Sequence, residues 1–271
     1  MYPQLFQKLK HIITQLSEKY HIIPKKEIRK GRSLKIRDSE ALTLALYKQT
    51  STRATKKSVY EDFKEILSCS YKTLVLAINR VAVVTLKLLF VLMRLGKKDA
   101  HWLKYTDATD IPVCLTKNGK KHKTMRSLAG WGHSGKGFYF GLKLTMTRDD
   151  RGRILSLVFS SPSTNDRDLF RKANKDLDGI IIADAGYISK ELERDMFIDG
   201  KRLVLIKPQR KMKKLVSPLW AALYKRRFRI EFDFRCLKLF HGLCTSLPRS
   251  VSGYLANYVH ALLSFMIAKF A

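Results

Sequence analysis

The spacing of apolar residues divides the chain into a helical first part and a mixed second part. Residues 38–49 (DSEALTLALYKQ) carry apolar side chains at helical spacing after a cap-like Asp-Ser pair. The segments SVYEDFKEIL and 72–95 continue the same pattern, and few strand patterns occur before Gly96-Lys97-Lys98. The sequence therefore predicts an all-helical N-terminal region over residues 1–98, with a boundary near these three residues.

After residue 98, short apolar runs alternate with helical patterns. The predicted strands are WLKYTDA (102–108), GFYFGLKLTMT (137–147), ILSLVFS (154–160), GIIIAD (179–184) and RLVLIK (202–207). The predicted helices are 166–177, 188–197 and a final helix that contains LYKRRFRIEFDFRCLK (223–238). Residues 117–137 are predicted as a basic, glycine-containing loop. This order indicates an α/β fold with a mixed sheet covered by helices over residues 99–271.

Two apolar runs raise the question of a membrane. Residues 81–96 are interrupted by Lys87 and Arg94, and residues 254–270 contain Asn257 and His260. Neither run supplies about twenty uninterrupted apolar residues. Both are therefore predicted to be buried helices, and no membrane partner is expected.

The charge of the chain is strongly unbalanced. It has 53 Lys and Arg against 23 Asp and Glu, a net charge of +30. Nucleic acid is the leading candidate partner for such an excess, because phosphates paired with Lys or Arg release counterions. At this point anionic membrane surfaces and ribosomal RNA remain alternatives. The four cysteines form no C-x-x-C pair and are expected to be reduced in a cytoplasmic, nucleoid-associated protein.

Two acidic residues stand where predicted strands end. Asp107 follows the strand-like residues of WLKYTDA, and Asp184 follows GIIIA. Asp110 competes with Asp107 but is expected to lie beyond that strand, ahead of Pro112. In open sheets, polar groups at the carboxyl ends of buried strands form binding sites. The sequence thus offers Asp107 and Asp184 as candidate site residues, although either one alone is equally consistent with a turn or cap.

The final predicted helix places a third carboxylate among cations. On a helix of 100° per residue, one stripe of about 60° contains four residues: Tyr224, Arg227, Glu231 and Lys238. Asp233 falls on the opposite side, where an ordinary surface ion pair with Arg226 or Arg229 is expected. The apolar residues of the two flanks, Phe228 and Phe232 on one and Ile230 and Phe234 on the other, are expected to pack on the sheet.

The order Asp107, Asp184, Glu231 on a first strand, a later strand and a final helix resembles the ribonuclease H-like DDE domain of bacterial insertion-sequence transposases. Tyr224-x2-Arg227-x3-Glu231-x6-Lys238 is similar to the Tyr-Arg-Glu-Lys signature of one large transposase group. TDATDIPVC (106–114), SSPSTNDRDLF (160–170) and IIADAGYISKEL (181–192) resemble further blocks of that group. The similarity runs from about residue 103 to 265.

This resemblance implies a fold, a cofactor and a reaction. The fold is a ribonuclease H-like mixed five-stranded sheet flanked by helices. Asp107, Asp184 and Glu231 are the implied catalytic metal ligands for Mg²⁺, with Mn²⁺ as a substitute and two ions expected, and carboxylate oxygens suit such hard cations. The implied reaction is hydrolysis at transposon ends followed by transfer of the freed 3′ hydroxyl to target DNA. No covalent protein–DNA intermediate is implied, so Tyr224 is expected to position other groups.

The expected partner is double-stranded DNA, as terminal inverted repeats and as target, bound by a homodimer. The expected DNA-binding residues come from the final helix, from the loop 117–137 and from the basic interval 207–229: Tyr224, Arg227, Lys238, Lys121, Lys123, Arg126, Arg210, Lys211, Lys213 and Lys214. The N-terminal region is expected either to recognise DNA ends or to dimerise. The alternatives are a purely hydrolytic ribonuclease H-like nuclease, an inactive transposase that binds DNA, and a basic RNA-binding protein.

Overall fold

The computed structural model of the chain describes residues 3–23, 33–51, 53–187, 189–205 and 217–270. Its contacts group the chain into two units, one formed by residues 1–92 with 236–271 and the other by residues 93–235. The sequence pattern instead predicts a boundary after residue 98 and one domain over residues 99–271. The two divisions differ at the C-terminal end because the last helix packs with N-terminal helices.

Helices and strands occupy most of the described residues. The helices are α1 (Gln4–Tyr20), α2 (Asp38–Thr50), α3 (Lys56–Phe63), α4 (Tyr71–Arg80), α5 (Ala82–Lys98), α6 (Asp166–Asn174), α7 (Lys190–Ile198), α8 (Pro218–Lys225), α9 (Phe228–Leu239) and α10 (Val251–Phe270). The strands are β1 (Leu103–Pro112), β2 (Gly130–Ser134), β3 (Gly137–Asp149), β4 (Ile154–Ser160), β5 (Gly179–Ala183) and β6 (Lys201–Leu205). Each of the five predicted strands is therefore found.

The helical unit is organised around α2. Every residue from Ala41 to Tyr47 in this helix is buried, because α1, α4 and α10 all pack against it. A helix with partners on several sides has no solvent face. The ion pair between Arg80 and Asp38, 2.8 Å long, fixes α4 to the start of α2.

Two helical stretches are long and apolar enough to cross a membrane, by length and composition alone: Tyr71–Lys98 and Val251–Lys269. The second has 72% of its most apolar window buried inside the protein, as expected of a core helix. The first has only 39% buried, and Val83 and Phe90 are largely exposed. The prediction that residues 81–96 form a buried helix is therefore wrong for one face of α5.

The sheet of the second unit is mixed. β1 pairs antiparallel with β3 and parallel with β5, while β4 pairs antiparallel with β3 and β6 parallel with β5. These five strands, in the order β4-β3-β1-β5-β6, form the mixed five-stranded sheet that the family resemblance implies. Helices α6 and α7 cover β5 through one buried cluster, which includes Phe170, Ile181 and Leu192.

The predicted loop 117–137 is wrong over part of its length. Thr116–Lys121 forms a 3₁₀ helix, and β2 pairs with the first half of β3 as an additional strand. The Gly-Trp-Gly sequence of β2 suggested a loop because glycine is depleted in strands. Here a Cβ atom at Gly132 would lie 2.6 Å from the Cβ atom of Pro162 and 2.8 Å from the ring of the cross-strand Tyr139, so these two side chains require glycine at this position.

The last predicted helix is interrupted. α8 ends at Lys225 and α9 begins at Phe228, so residues 223–238 do not form one continuous helix. The amide of Arg227 donates to the carbonyl of Tyr224 at 2.9 Å, and that of Ile230 donates to the carbonyl of Arg227 at 3.0 Å. These i→i−3 bonds make a tight turn. The assumption of a single helical wheel was therefore wrong, and tertiary contacts decide which side chains meet.

Candidate active site

Two central strands bring Asp107 and Asp184 to the same level of the sheet. β1 and β5 pair in parallel at Leu103↔Ile180 and Tyr105↔Ile182. Continuing this register by two residues places Asp107 level with Asp184, which immediately follows β5. Both carboxylates are half-buried. They therefore lie where two parallel strands cease to pair, the position at which open sheets form sites.

Asp110 and Asp107 lie on opposite faces of the sheet. β1 continues to Pro112, so the expectation that Asp110 lies beyond the strand is wrong. Residues three apart in a strand point to opposite faces. The alternation of the strand, rather than its end, distinguishes the two carboxylates.

Arg227 joins the first and third acidic residues. Its guanidinium donates one hydrogen bond to Asp107 at 3.1 Å and another to Glu231 at 2.5 Å. The Arg227 side chain is only 12% exposed, so both bonds form in a partly desolvated position. Bonds between ionised groups in such positions are among the strongest in proteins. Glu231, on α9, is thereby held beside Asp107 of β1.

Tyr224 connects the same arginine with the second acidic residue. Its hydroxyl donates to Asp184 at 3.3 Å, and the guanidinium of Arg227 lies over its ring, 5.5 Å from the centroid. The structure thus brings together Asp107, Asp184 and Glu231 through Tyr224 and Arg227. These five residues are called the acidic cluster below.

Burial and mutual repulsion mark the electrostatics of the acidic cluster. Burial raises the pKa of Asp107 to about 6 against the opposing effect of Arg227, and Asp184 and Glu231 add to the rise. Burial by itself would lower the pKa of the Arg227 guanidinium, but the carboxylates of Asp107, Glu231 and Asp184 raise it. The site is therefore a concentration of negative charge that Arg227 partly neutralises.

Tyr187 is a residue of this region that the sequence analysis missed. Its side chain is buried, and its pKa is raised first by burial and then by Asp107, Asp166 and Asp184. The amide of Tyr187 donates to the carbonyl of Asp184 at 3.0 Å. The only sequence signal is its place three residues after Asp184, in the turn that follows β5.

The donor chemistry of the cluster suits a hard divalent cation, since all three acidic side chains offer carboxylate oxygens. As they stand, however, no three His, Cys, Asp or Glu side chains in the described parts of the chain are arranged as a metal site. The guanidinium of Arg227 instead pairs with the carboxylates of Asp107 and Glu231. A cation would have to replace the guanidinium at these oxygens.

Asp233 has a different partner from the predicted one. Its carboxylate pairs with Arg148 of β3 at 2.6 Å, and both side chains are buried, at 2% and 7% exposed. Arg226 and Arg229 pair instead with Asp150. The prediction of a surface ion pair on α9 was therefore wrong. Asp233 is a buried contact between α9 and the sheet.

The two apolar flanks of α9 also differ from each other. Ile230 and Phe234 are buried, as predicted. Phe228 and Phe232 are each 64% exposed, so the prediction that both flanks pack on the sheet was wrong. Asp233 lies on the buried flank, so its carboxylate needs a buried partner, which Arg148 of β3 supplies.

The remaining predicted DNA contacts are surface cations where they are described. Lys121, Lys123 and Arg126 are exposed, and Lys238 is half-buried on α9. Arg210, Lys211, Lys213 and Lys214 lie outside the described residues. Their assignment to DNA stays a prediction.

The profile of the transposase DDE domain matches residues 97–250 of this chain. This interval includes Asp107, Asp184 and Glu231. A search of curated proteins finds no match.

Among solved structures, the chain is similar to the piggyBac transposase in a synaptic complex with hairpin DNA. The identity is 9%, the TM-score is 0.54, and the alignment covers 98% of this chain and 73% of that one. This similarity supports the fold class. The Mos1 mariner paired-end complex with Mn aligns at 12% identity over 94% of this chain and 86% of that one, with a TM-score of 0.27. A score this low says nothing about the site of this chain.

Proposed function

The chain belongs to the family of the transposase DDE domain, and from this premise we propose that it is an insertion-sequence transposase. The proposed reaction cleaves phosphodiester bonds at the ends of a mobile DNA element. The freed 3′ hydroxyl then attacks a second DNA. Asp107, Asp184 and Glu231 are the proposed catalytic residues.

One observation carries this proposal. Arg227 and Tyr224 bond to three acidic residues that are far apart in the sequence. These acids lie on β1, at the end of β5 and on α9. The three acids also occur in the order that resembles the transposase family. Three partly buried carboxylates beside one another are costly without a cation, and such arrangements are typical of functional sites.

The three acidic residues would hold divalent ions, with Mg²⁺ as the proposed metal and two ions as the proposed number. When bound, such ions activate an attacking oxygen and stabilise the leaving oxygen of a phosphodiester. Burial is the main cause of the raised pKa of Asp107, with Asp184 and Glu231 adding to it, and a bound cation would offset the charge of these carboxylates.

The other residues of the cluster have positioning roles. With divalent ions held by the carboxylates, Arg227 would be available to a phosphate oxygen, and a planar guanidinium suits that contact. The Tyr224 hydroxyl donates to Asp184 and orients this carboxylate. We propose no nucleophilic role for Tyr224, since burial and Asp184 raise its pKa. Tyr187 is buried close enough to Asp107 and Asp184 for their charges to raise its pKa, after the larger effect of burial.

The proposed partners are terminal inverted repeats and target DNA, bound by a homodimer in the cytoplasm. The net charge of +30 supports a polyanionic partner. The piggyBac transposase was solved with hairpin DNA in a synaptic complex, and we propose the same class of partner here.

The decisive experiment incubates the protein with a duplex that carries the repeats flanking its own gene, together with a second duplex. With Mg²⁺ we expect nicks at the repeat ends and joined products, and with EDTA neither. Glu231→Gln should lower the cleavage rate by about a thousandfold or more while DNA binding persists. Arg229→Gln is the matched control, because its guanidinium pairs with Asp150.

The products separate the alternatives. Cleavage without joining would identify a nuclease. Binding without cleavage in any divalent metal would identify a DNA-binding protein that has lost activity. Cleavage that survives Glu231→Gln would refute the assignment of the site.

A further inference from the structure

The helical unit contains a cavity of about 430 Å³ that is separate from the acidic cluster. It lies between the end of α2, the start of α3, one side of α4 and the start of α10 with the loop before it. Four cationic residues line it, and none of its described lining residues is acidic: Lys48, Lys56, Lys57 and Arg249. A volume of this size is within the range of small-ligand sites.

Two of these lysines lack a counter-charge among the described residues. Lys48 donates to the amide oxygens of Gln49 at 3.1 Å and Asn257 at 3.3 Å. Lys56 donates to the amide oxygen of Asn79 at 2.5 Å. Both lysines are half-buried. An ammonium group has three donors, so one hydrogen of Lys48 and two of Lys56 remain available to an occupant.

The position of the Lys48 acceptors is fixed by a buried network. Gln49 donates to the side-chain and backbone oxygens of Asn257 at 3.0 and 3.1 Å. Asn257 in turn donates to the carbonyl of Gly242 at 2.8 Å. Since these amides are held by their own bonds, Lys48 is directed by a rigid frame. Rigid placement of this kind reduces the entropy lost on binding.

The two ammonium groups also repel each other. Burial lowers the pKa of Lys48 to about 8, and the charge of Lys56 adds to the effect. Burial alone lowers the pKa of Lys56 to about 8. Both groups remain mainly protonated at pH 7. An arrangement that costs folding energy, and in which no described residue supplies an anion to either lysine, favours binding of an external anion.

We propose that this cavity, called the lysine cavity, binds a backbone phosphate of the DNA that the protein acts on. A phosphate offers several acceptor oxygens to the free donors of Lys48 and Lys56, and exposed Arg249 lies at the rim for a neighbouring phosphate. The choice of DNA as the source of the phosphate rests on the proposed function. The lysine cavity thereby gives the N-terminal helices a role in DNA binding.

The first test measures DNA affinity by fluorescence anisotropy in EDTA, where cleavage cannot occur. The double variant Lys48→Gln/Lys56→Gln should bind a duplex about tenfold more weakly, and the slope of log K against log salt should fall by about one. Lys64→Gln is the matched control, a lysine of the same unit that does not line the cavity and pairs with Glu61 on the surface. It should change neither quantity.

Stability gives an independent readout. Because the double variant removes two repelling charges, its Tm should equal or exceed that of the wild type. A residue pair with a purely structural role would give a lower Tm and an unchanged DNA affinity. That outcome, or equal affinity losses in the double variant and in Lys64→Gln, would overturn the proposal.

A second test uses the unaltered protein. In ¹³C-lysine NMR, the pKa of Lys48 and Lys56 should move from about 8 toward 10.5 when a duplex is added. If inorganic phosphate produced this shift at low concentration and the duplex did not, the cavity would bind free phosphate and the DNA assignment would be wrong. Neither result depends on strand cleavage, so the lysine cavity and the proposed reaction can fail separately.

Discussion

Arg227 donates to both Asp107 and Glu231 and is the counter-charge of the acidic cluster in the absence of other ligands. The same guanidinium stacks on Tyr224, whose hydroxyl bonds Asp184. Arg227 therefore connects Asp107 and Glu231 directly, and it reaches Asp184 only through Tyr224. Its removal should expose the carboxylates to a competing cation.

We expect Arg227→Gln to bind Mn²⁺ or Mg²⁺ about tenfold more tightly than the wild type in the absence of DNA, since one competing charge-assisted contact is lost. Calorimetric titration measures this change. Arg229→Gln, which leaves the cluster intact, should bind metal as the wild type does. Weaker metal binding in Arg227→Gln would show that the guanidinium does not compete with the cation.

The buried ion pair of Asp233 leads to a prediction about stability rather than metal binding. Asp233→Asn leaves Arg148 as an unpaired buried charge and should lower the free energy of unfolding by about 3 kcal/mol in urea denaturation. Glu231→Gln removes a carboxylate that is 39% exposed and should cost less than about 1 kcal/mol.

The double variant Arg148→Met/Asp233→Leu provides the control, because it removes both buried charges together. It should recover part of the stability lost in Asp233→Asn. Equal stability of Asp233→Asn and the wild type would mean that this ion pair contributes nothing to the fold.

Among the elements, α9 shows how one helix can serve the site and the core at once. Glu231 is presented to Asp107 and Arg227, while Asp233 and Ile230 face the interior. The turn at residues 226–227 separates α8 from α9, and Arg227 within it contacts both Tyr224 and Glu231. The signature residues thus meet through a turn and an ion pair rather than along a continuous helical stripe.

Helix α10 carries a buried histidine that should make the stability of the protein depend on pH. His260 donates from Nε2 to the carbonyl of Ile78 at 3.0 Å and lies 2.9 Å from the hydroxyl of Thr85. Burial lowers its pKa to about 3, and the charges of Lys56 and Lys48 act in the same direction. The imidazole is therefore neutral in the folded protein at pH 7.

The unfolded chain binds a proton at His260 below about pH 6.5, whereas the folded chain does so only near pH 3. The contribution of neutral His260 to the free energy of unfolding is therefore fully present above about pH 6.5. It is lost as the pH falls, by about 1.4 kcal/mol per pH unit. Urea denaturation at pH 7 and pH 5 should show a loss of about 2 kcal/mol more in the wild type than in His260→Gln. Equal losses would contradict the assignment.

For the whole molecule, the net charge of +30 is the dominant property. If six or more phosphates are contacted, raising the salt concentration from 50 to 200 mM should weaken DNA binding by about 10³-fold. Anisotropy titrations in EDTA measure this dependence, and the Tm of the DNA-free protein should rise over the same range as anions screen self-repulsion. If log K for DNA binding did not change with log salt concentration, the phosphate backbone would be excluded as the main contact.

The sequence by itself determined the elements and the identities of the acidic residues. Period-2 and period-3.6 patterns are local, so the five strands and most helices were predictable, as was the order Asp107, Asp184, Glu231. Local patterns do not show which distant residues a side chain contacts in the fold. The strand signal of β2 was hidden by its glycines, and the end of β1 was placed too early because Asp110 and Pro112 resemble a turn.

Only the tertiary structure decided the contacts. Arg227 meets Asp107 across 120 residues of sequence, Asp233 meets Arg148 across 85, and Lys48 meets Asn257 across 209. Each of these contacts depends on how strands and helices pack, which no spacing within one element encodes. The sequence therefore identified the acids of the site, whereas the fold determined which cation neutralises them and placed two lysines in a cavity where no described residue supplies an anion.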